Sequence, residues 1–327
     1  MDGGGRPVEG VILAAGYGER MRPLTDDIPK ALLPVAGVPL LRVIARKMVR
    51  AGASKVHVNL FHLGERIRHA LEGEDIPFVW HEEEELLDTG GGVGNMAVSL
   101  SGAEDIILCN GDICSSIDLG EVLAAHRDRG GLVTLVLLRP TGGGSGTAPP
   151  PSVTLDGEGR ITGIGPPEDL EGGAETAFGY TGISALSASA LEYFPRERAG
   201  LVGILRSMIE DRPGSASGWD ASLGSSAPLW GETGTPSSYL DLHRRILVEK
   251  EVFDELLMPP PLPLRAGEGS RIDPSARWKG FLDVGRGAVI EKDTVLADCV
   301  VLDGARVPAG ARLESAIVGT DSKLEVE

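Results

Sequence analysis

Short apolar runs alternate with helix-like stretches along the first 140 residues, and this alternation limits the fold more than any other feature. Val11–Ala15 is an apolar run that ends in glycine, the pattern of a strand buried on both faces. Pro39–Arg50 reads as a helix, with proline at its start and Gly52 just past its end. Further strands are expected at Val56–Asn59, Phe78–Trp80, Ile106–Cys109 and Leu132–Leu138. Helices are expected at Gly64–Leu71, from a Thr89 cap to about Leu100, and at Asp118–Arg129. Repeated β-then-α units imply an α/β fold, a mostly parallel sheet flanked by helices on both faces. Such sheets bind ligands at the carboxyl ends of their strands.

Farther along, Phe178–Leu186 reads as a strand, Leu201–Asp211 as a helix, and Ser237 to about Leu257 as a longer helix. Residues 141–151 (TGGGSGTAPPP) read as a low-complexity surface loop. The prolines of 258–263 (MPPPLP) forbid helix and favour a stiff extended linker. Three segments result: a domain over 1–258, a proline-rich linker over 259–270, and a terminal domain over 271–327. In the last, Ile272, Trp278, Val284, Ile290, Leu296 and Leu302 recur every sixth position, with Ala288, Thr294 and Val300 on a second phase. That period fits a short left-handed parallel β-helix, and it frays at Pro308 and Glu314. Stacked repeats commonly bury a face against a neighbour, so a homo-oligomer formed through this module is expected.

The sharpest chemical signal lies where the first strand ends. Leu13-Ala14-Ala15-Gly16-Tyr17-Gly18-Glu19-Arg20-Met21-Arg22 runs into a Gly-x-Gly turn, whose backbone N–H groups can approach phosphate closely. Arg20, Arg22 and Lys30 place three cations here, although the chain carries a net charge of −17. A polyphosphate site is the reading this inversion supports. The spacing matches neither a Walker A loop nor GxGxxG. The acidic remainder argues against nucleic-acid and anionic-membrane partners. Asn110-Gly111-Asp112 follows the fourth strand directly, so its carboxylate faces the same strand ends. Cys109, Cys114 and Cys299 show neither disulfide nor zinc spacing. No run is long and apolar enough to span a bilayer, and the cytoplasm is the expected location. The six histidines (57, 62, 69, 81, 126 and 243) show no metal spacing and read as packing or surface residues.

LAAGYGERMRPLT followed by PKALLPVAGVPLL resembles the signature of sugar-1-phosphate nucleotidylyltransferases, and the resemblance covers about residues 8–250. It implies a Rossmann-like core and a reaction of a nucleoside triphosphate with a sugar 1-phosphate. By the same resemblance, Arg20 and Lys30 act on phosphates, and Asp112 is a ligand of Mg2+. Leu13, Ala14, Ala15, Gly16 and Gly18 contact nucleotide. Glu83, with Gly90 and Gly91, reads the base. Asn59, Asn110 and Gly182 line the sugar side. A carboxylate at Glu83 suits guanine or uracil, which offer N–H donors. Trp230-Gly231-Glu232-Thr233-Gly234-Thr235-Pro236 resembles the family segment whose Asp is the second metal ligand, so Glu232 is expected to bind metal. Two departures stand out: Glu232 in place of Asp, and Ile164-Gly165-Pro166-Pro167 where the family has Glu-Lys-Pro. They leave open an alternative, a regulatory subunit that binds nucleotide-sugar and has weak catalysis. The short repeat has no histidine, so it offers no evident base for acyl transfer.

Overall fold

In the computed structural model, which describes residues 6–140, 148–170, 173, 177–223, 228–251 and 262–326, the chain divides into two units. One comprises Met1–Gly16, Ile44–Ile113 and Ile117–Trp230; the other comprises Tyr17–Val43, Cys114–Ser116 and Gly231–Glu327.

The first unit is built on a nine-stranded mixed sheet. Its parallel core runs Asp105–Asn110, Val8–Leu13, Ala53–Leu60, Phe78–Glu82, the βαβ order the alternation predicts. Beyond Asp105–Asn110 the direction reverses. Phe178–Ser187 pairs antiparallel with it and with Val133–Leu138, so the latter joins the parallel array only through an antiparallel neighbour. Ala216–Asp220, Pro151–Leu155 and Ile161–Ile164 complete the sheet.

Val11, Ile106, Leu108 and Leu135 meet Val93, Met96, Leu205 and Met208 in one apolar core. Each side chain fully buried in this way contributes about 1.5–3 kcal/mol. On the other face, Gly10 leaves room for Met48 of the helix Leu40–Arg50. Helix Leu119–Arg129 starts where expected, because the Asp118 carboxylate accepts the N–H groups of Gly120 and Glu121. Thr89 does not cap the next glycine-rich helix. That helix spans Asp88–Met96, with Leu87 at its cap, and Asp88 enters it at φ +63°.

A polar chain lies within this sheet. Glu9 Oε2 is 2.9 Å from His57 Nε2, and His57 Nδ1 is 2.9 Å from His81 Nε2. Burial and the neighbouring His57 push His81 down to about 4, and burial lowers His57 too, against the pull of Glu9.

In the second unit the terminal strands stack in parallel. Arg265 pairs with Asp283, and Arg277 with Val295, each eighteen residues on, or three hexapeptides. After an irregularity between Lys279 and Leu282 the spacing falls to seventeen. Leu282 then pairs with Cys299, and Val295 with Arg312. That one-residue loss explains the frayed period: Val307 is buried rather than Pro308, and Leu313, rather than Glu314, packs against the apolar core. Val284, Ile290, Leu296 and Leu302 are buried as expected, but Trp278 is 40% exposed. Leu264–Ala266 pairs only with Leu282–Val284, so among the described residues no strand stacks outside Trp278.

Helix Pro236–Leu247 is held at its start by reciprocal bonds between Thr235 and Ser238. It ends ten residues before the expected Leu257; residues 252–261, including most of the proline run, lie outside the described set, as do 141–147 of the low-complexity loop. This helix carries a buried ionic cluster. His243 Nδ1 donates to Tyr239 O, and its Nε2 lies 3.3 Å from Ala36 N. Asp283 Oδ2 lies 3.3 Å from His243 Nε2, and Arg265 Nε donates to Asp283 Oδ1. Burial alone would raise the Asp283 carboxyl, but His243 and Arg265 outweigh it and hold it below its ordinary value. Among the described residues no helix is long and apolar enough to cross a membrane.

Two outcomes are expected. At His81 the unfolded chain binds more protons than the folded one between the ordinary histidine value of 6.5 and about 4, so its contribution to stability falls as pH drops through that window. Denaturant melts at several pH values should show this slope, and His81→Gln should flatten it; an identical slope in the variant would contradict the assignment. Asp283→Ala leaves Arg265 without its buried carboxylate and should cost roughly 3–5 kcal/mol, read from the urea midpoint. A loss below about 1 kcal/mol would show that the cluster is not desolvated as described.

Candidate active site

Strand register sets the first group of residues. Leu13 pairs with Asn59 on one side and with Asn110 on the other, so three predicted positions stand level at the carboxyl ends of adjacent strands. Past that line the ladder stops, and the next backbone groups need other partners. Gly111 N–H donates back to Leu13 O at 2.9 Å, which starts the turn that carries the half-buried Asp112. Ala14 N–H donates to Asn59 Oδ1 at 2.6 Å. Ala15 is buried, while Gly16 has open space where a side chain would stand. Gly182, at φ +79°, lies against Asn110 Nδ2.

Glu83 belongs to the same group. Its Oε1 accepts from Asn59 Nδ2 at 2.7 Å, and its Oε2 accepts from Leu87 N–H at 3.1 Å. Burial raises the Glu83 carboxyl, against those two donors. Gly92 closes over the pair. A Cβ there would stand 2.9 Å from Asn59 Nδ2 and 3.1 Å from Glu83 Oε1, so any larger residue would have to displace them. The N–H groups of Gly90 and Gly91, whose backbone is expected to contact a base, both point to Ala199 O, at 2.8 and 3.2 Å. The glycine-rich helix is pressed against the segment before Leu201, and that close approach takes its first donors.

The second unit holds the other predicted residues. Gly18 adopts φ +68°, a backbone state that glycine enters without strain, and its carbonyl accepts from Thr25 Oγ1 and Met21 N–H. Lys30 packs beside it, its Cβ 3.1 Å from where a Gly18 side chain would stand. Arg22 pairs instead with Asp26 at 3.2 Å. Arg20 and Glu232 converge on Gly234: a Cβ there would lie 2.9 Å from Arg20 Nη2 and 3.3 Å from Glu232 Oε1. A cation and a carboxylate some 200 residues apart in sequence thus flank one backbone position.

Sequence reading missed several polar groups. The Glu9–His57–His81 chain has only a weak signature, because nothing local announces a pairing across strands. Arg206 was also unforeseen. Its Nε donates to Ile164 O, and its guanidinium lies against Gly165, beside the segment that departs from the family's Glu-Lys-Pro. The cysteines are buried free thiols, and burial pushes Cys109 up to about 12, so it is not poised as a nucleophile. Among the described residues no three metal-ligating side chains cluster.

Residues 10–145 match the MobA-like NTP transferase domain family. Over 94% of its length the chain is 30% identical to the mannose-1-phosphate guanylyltransferase of Mycobacterium tuberculosis, and it covers 83% of that protein. It is 40% identical over 116 residues to the N-acetylmuramate alpha-1-phosphate uridylyltransferase of Neisseria meningitidis serogroup B, which is 34% of this chain and 49% of that one. HddC from Yersinia pseudotuberculosis, solved with GMP-PN, shares the fold with a TM-score of 0.57 at 18% identity, over 73% of this chain and 99% of the other. Similarity that extends along nearly the whole chain, on a sheet whose strand ends align the signature residues, identifies this chain as a member of the sugar-1-phosphate nucleotidylyltransferase family.

Proposed function

We propose that the chain joins UTP or GTP to a sugar 1-phosphate, N-acetylmuramate 1-phosphate, mannose 1-phosphate or a similar sugar, and releases pyrophosphate with Mg2+ as cofactor. The observation that carries this reading is the level alignment of Leu13, Asn59 and Asn110, with Asp112 two residues beyond. It puts a phosphate-compatible loop and a carboxylate at one end of the sheet, where α/β folds bind ligands.

An oxygen of the sugar phosphate attacks the α-phosphorus, and the bond to the β-phosphate oxygen breaks. The attacking oxygen is already anionic at neutral pH, so no general base is required. The difficulty is bringing two polyanions together and stabilising charge on the leaving pyrophosphate. Arg20 and the Gly16–Gly18 loop hold the β- and γ-phosphates, and Lys30 serves the α-phosphate and the incoming sugar phosphate. Leu13, Ala15 and Gly16 contact the nucleotide, and Asn110 and Gly182 the sugar. Asp112 and Glu232 are hard oxygen donors of the kind Mg2+ takes, one or two carboxylates with phosphate oxygens and water completing its shell. When bound, the ion neutralises charge on the reacting phosphates. The terminal strands are read as turns of a left-handed β-helix that mediates homo-oligomer formation, appended to a catalytic domain of residues 1–258. The cytoplasm is the proposed location.

A second reading, a nucleotide-sugar-binding subunit with weak catalysis, is favoured only by Glu232 and by the missing Glu-Lys-Pro lysine.

A pyrophosphate-release screen of four triphosphates against a panel of sugar 1-phosphates should find turnover that requires divalent metal. Tight binding of nucleotide-sugar with no turnover would support the second reading instead. Arg20→Ala and Asp112→Asn should each lower turnover by about 10²–10³ while the protein still melts cooperatively. Near-full activity in either would remove that residue from the mechanism.

A further inference from the structure

Asn59 is an amide, and which way it points decides what it offers to the loop. Its Oδ1 faces Ala14 N–H and its Nδ2 faces Glu83 Oε1. An ionised carboxylate only accepts hydrogen bonds, so Glu83 forces the amino end of Asn59 towards itself and leaves the carbonyl end for Ala14. The second carboxylate oxygen is held by Leu87 N–H, which locks Glu83 in turn. Both side chains are buried, and a side chain at position 92 would collide with them, so only glycine leaves the pair undisturbed. Each Glu83 oxygen already accepts one bond inside the protein and the residue is only 7% exposed, which leaves little of it to present to a base.

On the reading of function given above, we infer that Glu83 is a positioning residue: it orients Asn59, which anchors the Ala14 N–H at the entry to the phosphate loop, and it does not select the base. Glutamine at this position fits in volume but not in chemistry. If its carbonyl faces Asn59, its amino group opposes Leu87 N–H. If its carbonyl faces Leu87, its amino group opposes Asn59 and turns that amide's donors onto Ala14 N–H. Either arrangement leaves two donors facing each other in a buried site, which is unfavourable.

The test compares the unmodified protein with Glu83→Gln, Asn59→Ala and the double variant. The kcat/KM for each of four triphosphates is measured, together with equilibrium nucleotide affinity and melting temperature. Glu83→Gln is expected to lower kcat/KM about tenfold for every triphosphate alike, with their ratios unchanged within about twofold. The double variant should be no worse than Asn59→Ala alone, because Glu83 acts through Asn59. A tenfold or larger change in the preference among triphosphates would overturn the inference, as would losses that multiply in the double variant. If the unmodified protein turns over no combination, the proposed function fails; the affinity ratios and their coupling across the same variants then decide the role of Glu83.

Discussion

The strands Val8–Leu13 and Asp105–Asn110 end level beside Asn59, which creates a problem that the Asn59 amide solves. The parallel ladder satisfies each backbone N–H up to Leu13 and its neighbours, but the residues beyond must leave the sheet with their polar groups paired. Asn59 takes the N–H of Ala14, and Glu83, itself held by Leu87 N–H, holds Asn59 in turn. The direction in which the loop departs towards Gly16 thus depends on a short run of buried hydrogen bonds rather than on strand pairing. Buried networks of this kind have defined geometry when every member is satisfied and lose it when one is not. This is why a loop rich in small residues can leave the sheet from a defined starting point.

The second unit uses charge in a comparable way. His243, Asp283 and Arg265 link the helix Pro236–Leu247, the backbone at Ala36 and two of the terminal strands. An apolar cluster there would hold the same elements together, and replacing buried ion pairs with apolar groups often stabilises a protein. Charges add direction: the carboxylate of Asp283 has one set of partners, and they come from separate parts of the chain. The helix so held begins directly after the segment carrying Glu232 and Gly234, and Ala36 follows Lys30 by a few residues. Lys30 and Glu232 therefore lie in the same unit as the terminal strands.

Periodicity was legible wherever one residue's environment repeated along the chain. The short apolar runs became the parallel strands because burial on both faces demands them. Val284, Ile290 and Leu296 became buried rungs because each lies eighteen residues, or three hexapeptides, after the position that it stacks on. Where that condition failed, the reading failed with it. One residue lost between Lys279 and Leu282 moved the phase, and Trp278 lies in an outer rung with no strand stacked upon it among the described residues. The antiparallel return of Phe178–Ser187 was likewise invisible, since a buried strand has the same composition in either direction.

The residues themselves determined the β-then-α order, the Gly-x-Gly turn, the concentration of cations in an acidic chain and the six-residue period, because each is a local or periodic property of the polymer. Only the tertiary structure decided that Glu83 faces Asn59, that the Gly90 and Gly91 donors are taken by Ala199, and that Arg20 and Glu232 meet at Gly234. Those contacts join positions from 24 to more than 200 residues apart. Strand register and helix packing choose such pairs, and no pattern along the chain records the choice.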